Sequence, residues 1–241
     1  MRTATVGNLE ELPYAMEEAV NRLRVNIGFL GEGIRKIMII STLPNEGKSL
    51  VSIELWRQMA QAGIPSIFLD IDMRKSVLKN VHPLVLPEGE KIYGTSNYLS
   101  GEVDLEDALL HTQFEKGDLM FNIDNVINPS IMLESTRFTD LLNTLGERYR
   151  YVFLDTPPLN LVSDGERIGS QCDGALLVVR SGFTPTSAVR ASMAQLERSG
   201  CPILGIVLNR ASSSKGGYYT KRYGGYGYYG SKYYSSYYYK S

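Results

Sequence analysis

The triplet Gly47-Lys48-Ser49, with Asp70, Asp72 and Arg74 downstream and Asp155 further on, is the set of side chains best suited to chemistry, and that chemistry is the handling of phosphate. Residues 37–40 (IMII) form a short apolar β-type run, residues 41–46 (STLPNE) carry turn formers, and a helical pattern opens at Lys48. A strand, a loop and a helix start in that order make a phosphate-binding loop. Backbone N–H groups in the first helical turn have no internal partners, and the helix dipole favours an anion there. Gly47 lets the backbone come close to the phosphates. Lys48 can reach the β- and γ-phosphates as a point charge, and the Ser49 hydroxyl can ligate Mg²⁺. The pattern G-x-x-x-x-G-K-[ST] is incomplete, because Thr42 stands at its first Gly. A G-K-S triplet alone is common by chance, and its bland alternative is a surface turn before an amphipathic helix. The strand–loop–helix context favours the nucleotide.

Acidic residues recur at the ends of two later apolar runs. Residues 66–70 (SIFLD) lead into Asp70-x-Asp72-x-Arg74, and residues 151–154 (YVFL) lead into Asp155-Thr156-Pro157-Pro158. Ligands of open α/β sheets sit at the carboxyl ends of parallel strands. An acid directly after a strand therefore suits a Mg²⁺ or metal-water ligand beside a phosphate loop. Without that loop, Asp70 and Asp72 would read as solvated loop acids beside a basic residue. Arg74 can hold phosphate or pair with Asp. Asp164 heads a further short helix, where capping and chemistry are equal alternatives.

The last chemical feature is compositional. Residues 211–241 contain Tyr218, Tyr219, Tyr223, Tyr226, Tyr228, Tyr229, Tyr233, Tyr234, Tyr237, Tyr238 and Tyr239, five Lys/Arg and no Asp or Glu, with Gly and Ser filling most of the rest. No aliphatic core can form there, so a disordered tail is expected. Such a tail could bind by stacking, RNA and single-stranded DNA included. It could equally be a block of phosphate acceptors, each phosphate adding about −1.5 to −2 charge. A nucleotide site in the same chain favours acceptors.

The elements that must position these groups alternate along the chain. An amphipathic helix is expected over 14–27, with Met16, Val20, Leu23 and Ile27 on one stripe. It would pack on a sheet or make a subunit contact. Strands are expected at 37–41, 66–70, 119–123, 151–154, 175–179 and 203–208, and helices at 48–62, 134–148 and 184–199, with Gly63 and Gly200 as stops. Residues 97–99 and 105–110 read as short helical pieces, residues 75–95 as irregular and residues 1–13 as loose. Near-continuous apolar strand runs between helices indicate an α/β fold, P-loop NTPase-like, with a mainly parallel sheet flanked by helices on both faces. Its domain would span 14–210, between a flexible N-terminus (1–13) and the tyrosine-rich tail (211–241).

Bulk properties fit one such domain. Hydrophobic residues at 43% and charged residues at 21% are ordinary for a globular chain. A net charge of −1 argues against a general nucleic-acid surface. Cys172 and Cys201 read as buried thiols, and two histidines do not suggest a metal site. No apolar run reaches the roughly 18 residues of a membrane span. The opening residues MRTATVGNLEELP do not resemble a secretory signal, so a cytoplasmic location is expected.

On these motifs the chain resembles the bacterial tyrosine kinases of capsular and exopolysaccharide export, in the form of the cytoplasmic kinase subunit of Gram-positive bacteria. STLPNEGKS matches their Walker A motif, IFLDIDMR their second aspartate motif and YVFLDTPP their Walker B; GTSNYLSG, the Asn128-Pro129-Ser130 turn, VLNR and the tyrosine-rich end also match. The three nucleotide motifs are shared with partitioning and division-site ATPases, whereas the tyrosine block is not. The resemblance implies an ATP- and Mg²⁺-dependent protein-tyrosine kinase that phosphorylates its own tail, between subunits, in control of polysaccharide synthesis. Thr42, Pro44, Glu46, Gly47, Lys48, Ser49 and Leu50 would cradle the phosphates. Ser49, Asp72 and Asp155 would hold the metal, and Asp70 would take the tyrosine proton. Asn209 and Arg210 would line the adenine pocket.

The resemblance also implies a membrane-anchored activator or co-polymerase subunit that recruits the chain to the inner face of the membrane, a cognate tyrosine phosphatase, and ring-type homo-oligomers. No nucleic-acid partner is expected. The oligomer motif Glu-x-x-Arg-x-x-Arg aligns with Glu18, Asn21 and Arg24, so its middle Arg is absent; Arg22 lies about 100° round the helix. Two other functions share much of this pattern: an ATP-switched binding module without kinase activity, and an adaptor binding RNA or protein through its tail.

Overall fold

The structure is a computed structural model that describes residues 2–161 and 163–211. The eleven tail tyrosines, and the expectation of disorder there, lie outside the described residues. In chain order the elements are β1 (Arg2–Thr3), β2 (Thr5–Val6), α1 (Tyr14–Gly28), β3 (Lys36–Ser41), α2 (Lys48–Gln61), β4 (Ser66–Asp70), α3 (Leu78–Val81) and β5 (Leu84–Val85). Then come α4 (Thr95–Leu99), α5 (Leu105–Ala108), β6 (Leu110–His111), β7 (Gly117–Met120), α6 (Ser130–Leu133) and α7 (Thr136–Arg148). The chain closes with β8 (Tyr151–Asp155), α8 (Asp164–Gly169), β9 (Gly174–Arg180), α9 (Thr186–Arg198) and β10 (Ile203–Asn209).

Eight strands form one sheet in the order β1-β6-β7-β4-β8-β3-β9-β10, and β2 pairs with β5 in a separate ribbon. Every pair from β7 to β10 in that order is parallel, while β6 and β7 run antiparallel. β3 lies between β8 and β9, so successive connections leave it in opposite directions. The carboxyl end of β3 is therefore a topological switch point, where open α/β sheets bind ligands.

The apolar strand runs divide between the two sheet faces by simple alternation. Ile37, Ile39, Phe68, Phe153, Leu176 and Val178 join one buried cluster with Ile53, Leu55, Trp56 and Met59 of α2. Met38, Ile40, Ile67, Leu69, Val152, Leu154 and Leu177 join the other with Phe138, Leu141, Leu142 and Leu145 of α7 and Leu196 of α9. With both faces covered, every strand position must be apolar, which is why these runs show no polar alternation. Gly63 and Gly200 follow α2 and α9 with φ of +75° and +76°, the left-handed turn that ends a helix.

Several local expectations need correction. The expectation of a loose segment over 1–13 fails at residues 2–6: β1 adds to β6 in parallel, and Ala4 and Val6 are buried in the α2-side cluster. The Gln113 side-chain amide bonds the Val6 N–H and C=O, both at 3.0 Å. Arg57 donates to the Glu10 carbonyl at 3.1 Å. The irregular stretch 75–95 contains α3 and β5, the second of which receives β2. The helical piece at 105–110 stops at Ala108, and Leu110 turns into β6. The helix expected from 134 is split: α6 ends at Leu133, and Ser135 restarts the chain as the N-cap of α7 by accepting the Phe138 N–H. Among the described residues no helix is long and apolar enough to cross a membrane.

The anchored N-terminus has a measurable consequence. Val6→Ala removes two buried methyl groups and is expected to cost about 1–2 kcal/mol in urea unfolding at unchanged m-value. A midpoint equal to that of the parent chain would mean that the segment is unattached in solution.

Candidate functional site

The loop after β3 carries its conformational demand at two residues. Asn45 has φ +63° and Gly47 φ +89°. A Cβ on Gly47 would also collide with Nδ2 of Asn209, so strain and space both require glycine there. Thr42 is fully buried, and nothing in its backbone asks for the glycine of the motif. Gly47 is the N-cap of α2 and has no side chain to satisfy the first-turn N–H groups, so the helix start is left open to an anion.

Glu46 ties this loop to the sheet. Its carboxylate is fully buried and accepts the Leu43 N–H at 2.6 Å, the Arg180 N–H at 3.1 Å and the Thr184 hydroxyl. Its carbonyl accepts from Asn209 Nδ2 at 2.8 Å, and Asn209 Oδ1 accepts the Arg210 N–H at 2.8 Å. Both the carboxylate and the carbonyl of Glu46 are thus engaged by protein donors. Asn209 is a brace of the phosphate loop, with both ends of its amide engaged. Arg210 follows in the left-handed region at φ +54°. Pro44 and Leu50 are half-buried on either side of the turn.

Opposite the loop stand the acids. Asp70 and Asp155 end adjacent strands and face one another in register. Ser49 Oγ donates to Asp155 Oδ2 at 2.7 Å. The Lys48 ammonium lies 3.4 Å from Asp72 Oδ2, 3.5 Å from Asp155 Oδ2 and 3.2 Å from Ser49 Oγ. Five of the residues expected to act, Lys48, Ser49, Asp70, Asp72 and Asp155, thus meet at the carboxyl end of the sheet. Asp70 is the deepest: fully buried, it accepts the Ser76 hydroxyl, the Asp72 N–H at 3.2 Å and the Asn122 N–H at 3.3 Å. Ser76 and Asn122 were not legible as site residues, since neither belongs to a recognisable pattern.

Burial, then the neighbouring charge of Asp155, pushes the Asp70 carboxyl well above its ordinary range. Burial likewise raises Asp155, with Asp72 adding to the rise while Lys48 and the Ser49 hydroxyl oppose it. One oxygen of Asp155 and the hydroxyl of Thr42 are buried without a hydrogen-bond partner. Among the described residues no three His, Cys, Asp or Glu side chains converge as a metal cage. Two carboxylates, a hydroxyl and an orphaned carboxylate oxygen nevertheless fit Mg²⁺, which keeps several waters and takes few protein ligands beside phosphate.

Arg74 does not face this cluster. Its guanidinium forks onto Asp164, 2.7 Å from Nε to Oδ2 and 3.1 Å from Nη2 to Oδ1. Ser163 is the N-cap of α8, so Asp164 is not the cap; its side chain is an ion-pair partner of Arg74. On α1, Arg22 is exposed and Glu18 half-buried, while both Nε and Nη2 of Arg24 donate to Asn21 Oδ1, at 3.2 and 2.8 Å. The residue that replaces the motif's middle Arg therefore engages the last one within the helix.

A parallel α/β sheet with a Lys-Ser phosphate loop at its switch point, and acids ending the adjacent strand β8 and the next strand β4, defines a P-loop nucleotide-binding enzyme. No protein-family profile matches the chain. It is 34% identical over 216 residues to the tyrosine-protein kinase CpsD of Streptococcus agalactiae, covering 90% of each chain. It is 33% identical to CpsD of Streptococcus pneumoniae, covering 89% of this chain and 91% of that one. The kinase domain of Escherichia coli tyrosine kinase ETK superposes with a TM-score of 0.71 at 31% identity, over 84% of this chain and 80% of that one. The chimerical protein CapA2B2 gives a TM-score of 0.73 at 31% identity, over 80% of this chain and 84% of that one. The Pyrococcus horikoshii septum site-determining protein MinD, solved with Mg-ADP, has the same fold at 23% identity, with a TM-score of 0.62 over 76% of this chain and 72% of that one. The chain belongs to the bacterial tyrosine-protein kinase family of CpsD and Etk, and it is a nucleotide-using tyrosine kinase.

The raised carboxyls give the site a pH signature. A group whose folded pKa lies above its unfolded value favours the fold below the unfolded pKa, and that contribution is lost as pH rises through the folded one. Asp155→Asn removes the charge. In the absence of metal and nucleotide it is therefore expected to melt above the parent chain at pH 8, the gap closing as pH falls toward the ordinary carboxylate range near 4. Calorimetry in EDTA across pH checks this; a variant that melts lower at pH 8 would show that the ionised carboxylate is net stabilising.

Proposed function

We propose that this kinase transfers the γ-phosphoryl group of ATP to tyrosines of its own C-terminal segment, from one copy to another. The observation that carries the proposal is the convergence of Lys48, Ser49, Asp72 and Asp155 on one point beside the uncapped start of α2. The γ-phosphorus gains a bond to the phenolic oxygen and loses its bond to the β–γ bridging oxygen. ADP departs with that electron pair, and the phenolic proton passes to a carboxylate. Little covalent chemistry is asked of the protein, so positioning and charge stabilisation dominate.

Each residue has a role that its position supports. The loop 42–50 holds the phosphates through backbone N–H groups, and Lys48 neutralises charge on the β- and γ-phosphates. Ser49, Asp72 and Asp155 would hold Mg²⁺, which when bound neutralises phosphate charge. Asp70 is the proton acceptor; burial and Asp155 raise its affinity for a proton, as suits a base for a phenol of pKa near 10. Because Asp70 is fully buried, the turn 71–76 has to part for the hydroxyl to reach it.

The proposal extends to the partners that the family resemblance implies: a membrane-anchored activator recruiting the chain from the cytoplasm, a homo-oligomer built through α1, and a phosphatase that resets the tail. That one structural relative is a chimerical protein is in keeping with a kinase joined to a second component.

A mixing experiment tests transfer between copies. Lys48→Met is expected to lose at least about 100-fold in phosphotyrosine formed with Mg·ATP, as removal of one preorganised charge at a transition state does. Mixed with a parent chain ending at residue 211, the Lys48→Met chain should regain tail phosphate, mapped by mass spectrometry. If it stays unmodified while the full parent chain modifies itself, transfer occurs within one copy.

A further inference from the structure

Arg74, Ser130 and Asp164 belong to three separate stretches: the turn after β4, the Asn128-Pro129-Ser130 turn that opens α6, and the start of α8. The fold brings them together. Besides the two-point Arg74–Asp164 pair, Ser130 Oγ donates to Asp164 Oδ1 at 3.0 Å and accepts from Arg74 Nη2 at 3.3 Å. The Asp164 side chain is 2% exposed and that of Arg74 32%, so the carboxylate is fixed in the protein and the guanidinium reaches in from the rim. A forked, charge-assisted pair sets direction as well as distance.

That direction matters because of what lies two residues before Arg74. Asp72 has one oxygen 3.4 Å from the Lys48 ammonium and the other accepting the Lys75 N–H at 3.3 Å. The Met73 carbonyl accepts the Val126 N–H at 2.8 Å. The turn 72–75 is thus pinned at its inner end by Lys48 and at its outer end by Asp164. We infer that Asp164 and Ser130 are positioning residues for phosphoryl transfer, holding Asp72 against the phosphate site through Arg74. Neither touches the Lys48–Ser49–Asp155 cluster, so their influence on it runs through the turn. The inference rests on the reading above that Asp72 serves the metal and the phosphates.

The test is a double-mutant cycle on the full chain, read as phosphotyrosine formed per active molecule over a range of ATP and Mg²⁺. Asp164→Asn and Arg74→Ala are each expected to lower kcat by about 10–100-fold, the usual cost of losing a partner behind a metal ligand, with the ATP KM within about twofold. The Mg²⁺ midpoint should rise in both. The double variant should be no slower than the slower single one, because both remove the same link. Ser130→Ala should lose several-fold and Ser130→Thr, which keeps the hydroxyl, should recover it; this pair carries the test if Asp164→Asn does not fold.

Folded Asp164→Asn with the parent kcat and Mg²⁺ midpoint would overturn the inference, as would multiplicative losses in the double variant. Asp72→Asn separates the two levels. If it keeps the parent kcat and Mg²⁺ dependence, the reading of the site itself fails. If it is inactive while Asp164→Asn and Arg74→Ala are not, only the positioning role fails.

Discussion

Parallel pairing of β4 with β8 is the constraint on which this structure turns. It sets Asp70 and Asp155 side by side at the strand ends, and Asp72 follows two residues on. Nothing local would choose to bury like charges together; desolvation and mutual repulsion both oppose it. The arrangement persists because the same strands are sealed by close-packed apolar side chains on both faces, so a slip in register would have to repack both cores at once. The core energy of the sheet is thus what holds an otherwise unfavourable anionic cluster beside the phosphate loop.

The phosphate loop meets an opposite problem. A site built to attract phosphate carries a carboxylate, Glu46, immediately before its glycine. Turning that group into the protein, onto two N–H donors and the Thr184 hydroxyl, removes its repulsion from the phosphates and also anchors the loop to the strand β9 and to the turn before α9. Asn209 completes the brace from β10. Three strands that share one sheet edge thereby set the shape of a loop that belongs to only one of them. The loop's geometry is accordingly a property of the sheet, in keeping with the need for preorganised donors in charge-stabilising catalysis.

This division explains what could be read from residues alone. The convergence of Lys48, Ser49, Asp70 and Asp155 was legible because these two acids end apolar runs and the Lys and Ser open a helix, so local order and tertiary place coincide. Thr42 was a mismatch to the motif only on paper, since the left-handed demand falls on Asn45 and Gly47. The braces were not legible. The bond from the Asn209 amide to the Glu46 carbonyl could not be read, because a position at a strand end says where a residue lies and not which group its amide meets. Asp164 read as a cap or a chemical group, with no sign of its ion-pair partner, because Arg74 is 90 residues away. Residues 2–7 hold two two-residue strands, too short for any period, and are bonded to distant His111, Gln113 and Pro83.

Lys48 links the two halves of the site. Its ammonium lies between Asp72 and Asp155, close to the point where those carboxylates and Ser49 would meet a divalent cation. The lysine therefore balances the acids when nothing else does. It cannot keep both carboxylates and also reach the phosphates of a bound nucleotide. Once drawn toward phosphate it no longer offsets the charge of Asp72 and Asp155, and Asp155 already has one oxygen unpartnered. A positive charge arriving with the nucleotide would offset both carboxylates again, which is the part proposed above for Mg²⁺ between Ser49, Asp72 and Asp155.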